Sequence, residues 1–152
     1  MNMPGISDKM IFCSRRLAMP SARAGLFVVF TWFGLLKIIG MSPASGLVQQ
    51  LFVKTIPFMS FEDFLIGFGI FEVIIGVLFL IRGLERLVIP LLFVHMVTTF
   101  GPLVFVPEAT WQRFLVPTLE GQYIIKNLVI IACAVGIMAH LHPAGKIKST
   151  AK

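Results

Sequence analysis

The chain has 152 residues, of which 57% are hydrophobic and 13% charged, and its mean hydropathy is +0.93. A soluble domain is about half apolar and about a quarter charged, so this composition excludes an ordinary soluble globular protein, and the length points to one domain. The net charge of +6 is not clustered on a polar domain and Cys13 and Cys133 form no Cys-x-x-Cys, which excludes a nucleic-acid module and a disulfide scaffold.

Residues 1–23 form a basic segment carrying Lys9, Arg15, Arg16 and Arg23, expected to be disordered or interfacial and cytoplasmic. A basic stretch before an apolar run is also the pattern of a signal peptide, and Ser42-Pro43-Ala44-Ser45-Gly46 offers small residues for cleavage. The apolar run is long and contains Lys37, so it reads as an uncleaved first helix. A bilayer core about 30 Å thick needs roughly 20 helical residues. Four segments approach that length: Ala24 to Gly40 (borrowing from Leu17 to Arg23), Phe64 to Ile81, Leu87 to Val106 and Tyr123 to Leu141. The second contains Glu72 but also 14 Phe, Leu, Ile and Val residues, enough to offset a carboxylate that costs about 3 kcal/mol on an insertion scale. Residues 41 to 61 read as a long outer loop, 107 to 121 as a second one with Trp111 at the interface, and 142–152 as a basic cytoplasmic tail.

Nine Lys and Arg residues lie in the N-terminal segment, the connection bearing Arg82 and Arg86, and the C-terminal tail, whereas the opposite loops hold only Lys54 and Arg113. The excess of positive charge on one side predicts that both termini face the cytoplasm. The expected architecture of residues 24–141 is therefore an all-α integral membrane four-helix bundle in the inner membrane, N-in and C-in.

Small residues mark the faces on which membrane helices meet. Gly69, Gly76 and Gly83 recur every seven residues, and Glu72 lies on their stripe. Phe27, Phe30, Gly34 and Lys37 share a face of the first span; His95, Thr98, Thr99 and Pro102 share one in the third; Lys126, Val129, Cys133, Gly136 and His140 share one in the fourth. Counting from the ends puts Glu72 and His95 near the midplane, Lys37, Lys126 and Asn127 in the outer third, and Glu120 and Tyr123 at the outer rim. The polar side chains are thus expected to converge on one half of the bundle.

An ionisable side chain inside a membrane is by default a candidate functional group. Glu72 is the foremost, with a structural pair to Lys37 or Lys126, or a protonated carboxyl bonded to another helix, as the plain reading. Lys37 and Lys126 are close enough to helix ends to snorkel. His95 is of a residue type that titrates near neutral pH, at about 6.5 when unperturbed, but it is equally satisfied as a neutral group bonded to a carbonyl. His140 and His142 belong at the cytoplasmic interface, too far from His95 to share a metal. Cys133 reads as a small packing residue. No metal, phosphate or haem motif is found.

These motifs are similar to those of the DoxX-like family of small bacterial membrane proteins over roughly Arg16 to Pro143. The carriers are Phe33-Gly34-Leu35-Leu36-Lys37 followed by Gly40-Met41-Ser42-Pro43-Ala44, then Phe71-Glu72 with Gly76, and Leu119-Glu120-Gly121-Gln122-Tyr123-Ile124-Ile125-Lys126-Asn127-Leu128. The resemblance implies a four-helix bundle. Some members are associated with quinone-linked oxidation of sulfur compounds or with redox stress, and others have no assigned activity. Its motif positions include Lys37, Glu72, Glu120, Lys126 and Asn127.

The resulting expectation is a membrane component that binds a quinone or a similar amphipathic redox molecule. Lys37 and Lys126 would donate to a carbonyl, Glu72 would pair or relay a proton, and Tyr123, Asn127, Glu120 and His95 would stand nearby. Without a metal or flavin motif, electron transfer calls for a partner oxidoreductase, and the chain is not expected to be an enzyme alone. The alternatives are a non-catalytic scaffold for a membrane assembly, or a small-solute transporter formed by oligomerisation. A homo-oligomer through the glycine stripe is open, although packing within one chain explains the same stripe.

Overall fold

A computed structural model describes residues 6–56 and 58–141. Four helices are long and apolar enough to cross a membrane, Lys9–Ile38, Phe61–Leu80, Glu85–Phe105 and Leu119–Ala139, so the chain is a multi-pass membrane protein. In chain order the elements are α1 (Ile6–Ile38), α2 (Ser45–Thr55), α3 (Phe61–Leu80), α4 (Glu85–Phe100), α5 (Pro102–Phe105), α6 (Pro107–Thr110), β1 (Trp111–Arg113), β2 (Val116–Pro117), α7 (Leu119–Lys126) and α8 (Leu128–Ala139).

Helix α1 lies against α3, α3 against α4, α4 against α8, and α8 returns to α1. The core of this ring contains Leu26 and Phe30, Ile75 and Phe79, Val88, Ile89, Leu92 and Met96, and Ala134 and Ile137. The outward faces carry exposed Trp32, Ile70, Val94 and Val129. In a bilayer that surface meets acyl chains and is no liability.

Three boundaries follow from local chemistry. At the end of α1, Met41 N–H donates to Leu36 O at 2.8 Å and Gly40 N–H to Lys37 O at 3.2 Å, with Gly40 at φ +71°. This is a Schellman termination, in which glycine supplies the left-handed residue. Helix α3 starts at Ser60, whose hydroxyl accepts from Asp63 N–H at 3.1 Å and donates to the Asp63 carboxylate at 2.6 Å, a capping arrangement. The third span breaks between α4 and α5 because Pro102 has no N–H for the ladder; Gly101 N–H instead donates to Thr98 O at 3.2 Å.

Several sequence expectations need correction. The N-terminal segment, expected to be disordered or interfacial, is helical from Ile6, and α1 runs through Pro20 without interruption. The chain is an all-α helical bundle as expected, but its outer loops are structured: residues 41 to 61 contain α2, and 107 to 121 contain α6 and a short two-stranded antiparallel hairpin. Alternation and turn residues in these short stretches were too few to reveal either. Gly83 is not part of the packing stripe; it is exposed in the turn after α3 at φ +94°. His142 and the rest of the C-terminal tail lie outside the described residues.

The tightest crossing joins α1 and α3. A Cβ added to Gly34 would fall 2.7 Å from Gly69 O, one added to Gly69 2.7 Å from Gly34 O, and one added to Gly76 2.5 Å from the Thr31 hydroxyl. Glycine is required at each for the backbones to approach. Gly69→Ala is expected to push α1 from α3 and cost about 1–3 kcal/mol by overpacking. Gly67→Ala, where nothing lies within 4 Å, should be neutral or slightly stabilising. Thermal unfolding of both variants in one detergent checks the contrast.

Candidate functional site

Gly40 stops α1 just after Lys37, while α3 runs from the level of Gly69 back to Phe61, about 12 Å further at 1.5 Å per residue. Over that extension Phe52 of α2 covers Phe61 and Phe64, with ring centroids at 5.7 and 5.0 Å. Lys37 is therefore held inside the bundle, not at an exposed helix end. Its expected snorkelling does not occur: Lys37 Nζ donates to Glu72 Oε2 at 2.5 Å, and both side chains are only 7% exposed.

The other oxygen of the same carboxylate, Oε1, lies 2.8 Å from His95 Nε2. His95 is the eleventh of the 21 residues of its span and Glu72 the twelfth of 20, whereas Lys37 is next to last in its own, so the end of α1 meets α3 and α4 near the middle of theirs. A carboxylate there costs several kcal/mol without partners; here one oxygen faces an ammonium and the other an imidazole nitrogen.

The far side of the imidazole is also addressed. Thr99 Oγ1 lies 3.2 Å from His95 Nδ1 and 3.0 Å from His95 O. Thr98 Oγ1 donates to that same carbonyl at 2.7 Å. The Thr99 hydroxyl thus has two orientations. It can donate to a bare Nδ1, or accept from a protonated Nδ1 while its own proton turns to the carbonyl. A chain of groups able to hold or pass a proton runs Lys37, Glu72, His95, Thr99.

Aromatic rings enclose the junction. Phe68 stacks on His95 at 5.0 Å and 9°, Phe30 meets it edge-on at 5.2 Å, and Phe71 stands at 6.1 Å. Lys37 Nζ lies 5.5 Å from the Phe68 ring centroid, a cation–π distance. Phe30 stands on the Lys37 face, where the sequence placed it, whereas Phe68 is the site residue that sequence reasoning missed. The available signal was spacing, since Phe68 lies one helical turn before Glu72.

The remaining candidates do not join. Lys126 is exposed, with Nζ 5.2 Å from the Tyr123 ring centroid, and Tyr123 is 62% exposed. Asn127 spends its side-chain amide on Tyr123 O at 3.1 Å where α7 meets α8. Glu120 is exposed. Of the stripe Lys126, Val129, Cys133, Gly136 and His140, Cys133 is half-buried and packs against the core as expected, but Lys126, Val129, Gly136 and His140 are exposed, and Gly121, Ile124, Ala134 and Ile137 are buried instead. Ile124 and Lys126 lie about 200° apart around a helix, which turns the lysine away. Gly121 has a separate reason to be glycine, because a Cβ there would fall 2.1 Å from Thr110 O.

A second pair was also missed. Arg23 Nε donates to Phe79 O at 2.8 Å, its guanidinium bonds Glu85, and Glu85 accepts from Gly83 N–H at 2.7 Å. This pair ties α1 to the α3–α4 turn. Glu85, the lone acid among Arg82 and Arg86, was the clue. At the opposite end Lys54 Nζ meets Glu108 at 2.6 Å and Phe105 O at 3.0 Å, and the lysine hydrogen bond holds the Glu108 carboxyl below its ordinary range. Both Lys54 and Glu108 are exposed, so this contact adds little stability; it is present above the usual glutamate pKa and lost as pH falls through the lowered value. Among the described residues no group of three His, Cys, Asp or Glu side chains is placed to hold a metal ion.

No protein-family profile, curated protein or solved structure matches the chain.

Removing one member of a buried pair strands the other, whereas replacing both by apolar groups of similar size does not. Lys37→Met is expected to destabilise the bundle by about 3–5 kcal/mol, and Lys37→Met combined with Glu72→Leu and His95→Leu, which leaves no member of the buried group stranded, to recover most of that loss. Unfolding of the two variants in detergent measures it.

Proposed function

We propose that this chain is a DoxX-like membrane component that binds a quinone or similar amphipathic redox molecule and works with a partner oxidoreductase. In this reading both termini face the cytoplasm, following the distribution of Lys and Arg, and the membrane is the bacterial inner membrane. The observation that carries the proposal is the mid-span junction of Lys37, Glu72, His95 and Thr99 among aromatic rings. A lipid-soluble carrier meets such a site from within the bilayer.

The chemistry asks for a proton source and a hydrogen-bond donor. Reduction of a quinone to a quinol consumes two electrons and two protons, and the electrons come from the partner. Lys37 and His95 are the N–H donors for a carbonyl oxygen, and Glu72 holds both in place. Thr99 can bond His95 Nδ1 in either protonation state by rotation of its hydroxyl, so a change of protonation at His95 leaves no buried group without a partner. A planar ligand is expected to replace the Phe68 ring in its stack on the imidazole. Lys126 and Tyr123, exposed at the far end of the fourth span, have no part in this version of the site.

A specific observation also favours the scaffold reading. Lys37 and Glu72 already satisfy one another, as a pair that only fixes helix register would. The two readings separate in the lipid extract of gently solubilised protein. Quinone enriched over a control membrane protein in the wild type, and lost in Glu72→Gln and His95→Leu at unchanged expression, supports the binding site. No enrichment, under conditions that retain quinone in a known binder, removes it and leaves the scaffold. Thr99→Val is expected to keep the quinone but slow its proton-coupled reduction several-fold when the partner is supplied, since a general acid–base contribution is about 100-fold or more and only its relay is removed.

A further inference from the structure

The hairpin between α6 and α7 is a surface element that the site does not use. Its strands pair Arg113 with Val116, which leaves Phe114 and Leu115 as a two-residue turn. Such turns favour Gly, Asn or Asp because they require positive φ. Here Leu115 adopts φ +58°, and Phe114 and Leu115 are 90% and 71% exposed. Water would not favour either residue at the most exposed point of a polar loop.

The root of the hairpin explains the choice. Trp111 Nε1 donates to Leu103 O at 3.0 Å, and Leu103 lies in the last turn of the span Glu85–Phe105. On the other strand side, Thr118 Oγ1 donates to Ala109 O at 2.7 Å and caps the next span by accepting from Gly121 N–H at 3.1 Å. The hairpin is thereby fastened flush with the ends of two membrane helices. The two helix ends to which the root is fastened also present Val104, Phe105, Leu119 and Tyr123, each more than half exposed, so the apolar tip extends from a region whose surface is already suited to acyl chains. Arg113 is exposed next to the tip, where its cation suits a phosphate headgroup.

We propose that the Phe114–Leu115 turn is a membrane-dipping anchor, its two side chains seated at the headgroup–acyl boundary of the adjacent leaflet. The occupant is lipid, and the partner chemistry is acyl chain at the tip with anionic or zwitterionic phosphate at Arg113. The proposal does not depend on the quinone reading.

The test uses the full chain in phosphatidylcholine–phosphatidylglycerol vesicles, with Cys13→Ser and Cys133→Ala removing the native thiols. An environment-sensitive fluorophore is placed at Phe114→Cys, with Gln50→Cys, exposed on α2, as the polar reference and Val94→Cys as the mid-span reference. Lipids spin-labelled near the headgroup are expected to quench the 114 probe at least two-fold more than the 50 probe, with aqueous iodide doing the reverse. Leu115→Cys should repeat the pattern. Iodide quenching equal to that at position 50 would place the tip in water and overturn the proposal. Protection from both quenchers would assign the tip to a protein contact and overturn it as well.

Discussion

The close crossing of α1 and α3 is the constraint on which the rest of the bundle depends. Lipid tails are as apolar as leucine, so burying apolar surface between helices gives little drive, and close backbone packing must supply it. Gly34 and Gly69 each stand where the other's carbonyl would meet a Cβ at 2.7 Å. That approach sets the distance over which Lys37, one turn beyond Gly34, can reach Glu72, one turn beyond Gly69. A larger residue at either crossing point would separate the charges and leave the Glu72 carboxylate near mid-span with only His95 as its partner. The glycines and the ion pair are one device: the first permits the contact, the second penalises any other register.

Polar ties then occur at three depths. Arg23 and Glu85 join α1 to the α3–α4 turn at one end, Lys37, Glu72 and His95 join α1, α3 and α4 in the middle, and Lys54 and Glu108 join α2 to α6 at the other end. Their energetic roles differ with burial. The middle group is almost wholly removed from solvent and is costly to break. The Lys54–Glu108 pair is open to water and is screened. Arg23 shows that a basic residue on the positive side can do more than report topology, since its guanidinium also closes the helix turn.

Twenty-residue apolar runs made the four spans legible, because nothing else spans a bilayer at that length. Glu72 was legible as an inward residue because Gly69 and Gly76 bracket it at steps of three and four. The fourth span was not. Its α8 half is apolar all round, and in a membrane the lipid face is as apolar as the core, so hydrophobic periodicity says nothing about which side is buried. Small size pointed to Gly136, which is exposed, and to Cys133, which packs against the core beside the buried Ala134 and Ile137. α2 and the hairpin were hidden for another reason. Elements of eleven, three and two residues carry too few repeats to show a period, and they are positioned by contacts to other segments such as Trp111 with Leu103. The Glu-Gly-x-Tyr run was read as a site motif, yet its glycine is accounted for by the Thr110 carbonyl.

The distinction between a structural pin and a chemical site turns on His95. Lys37 with Glu72 would be enough to fix register, and a leucine at position 95 would fill the space among Phe30, Phe68 and Phe71 without any polar partner to find. The imidazole instead takes the second oxygen of Glu72 and presents its other nitrogen to Thr99, which adds a titratable group to a region where each such group is expensive. Thr99 completes the hydrogen bonding of the buried imidazole, because its hydroxyl stands within reach of both Nδ1 and the His95 carbonyl and a buried ring nitrogen without a partner is costly. The Lys37–Glu72 pair fixes register by itself, so the His95–Thr99 half of the junction is the part in which the proposed ligand site and a purely structural pin differ.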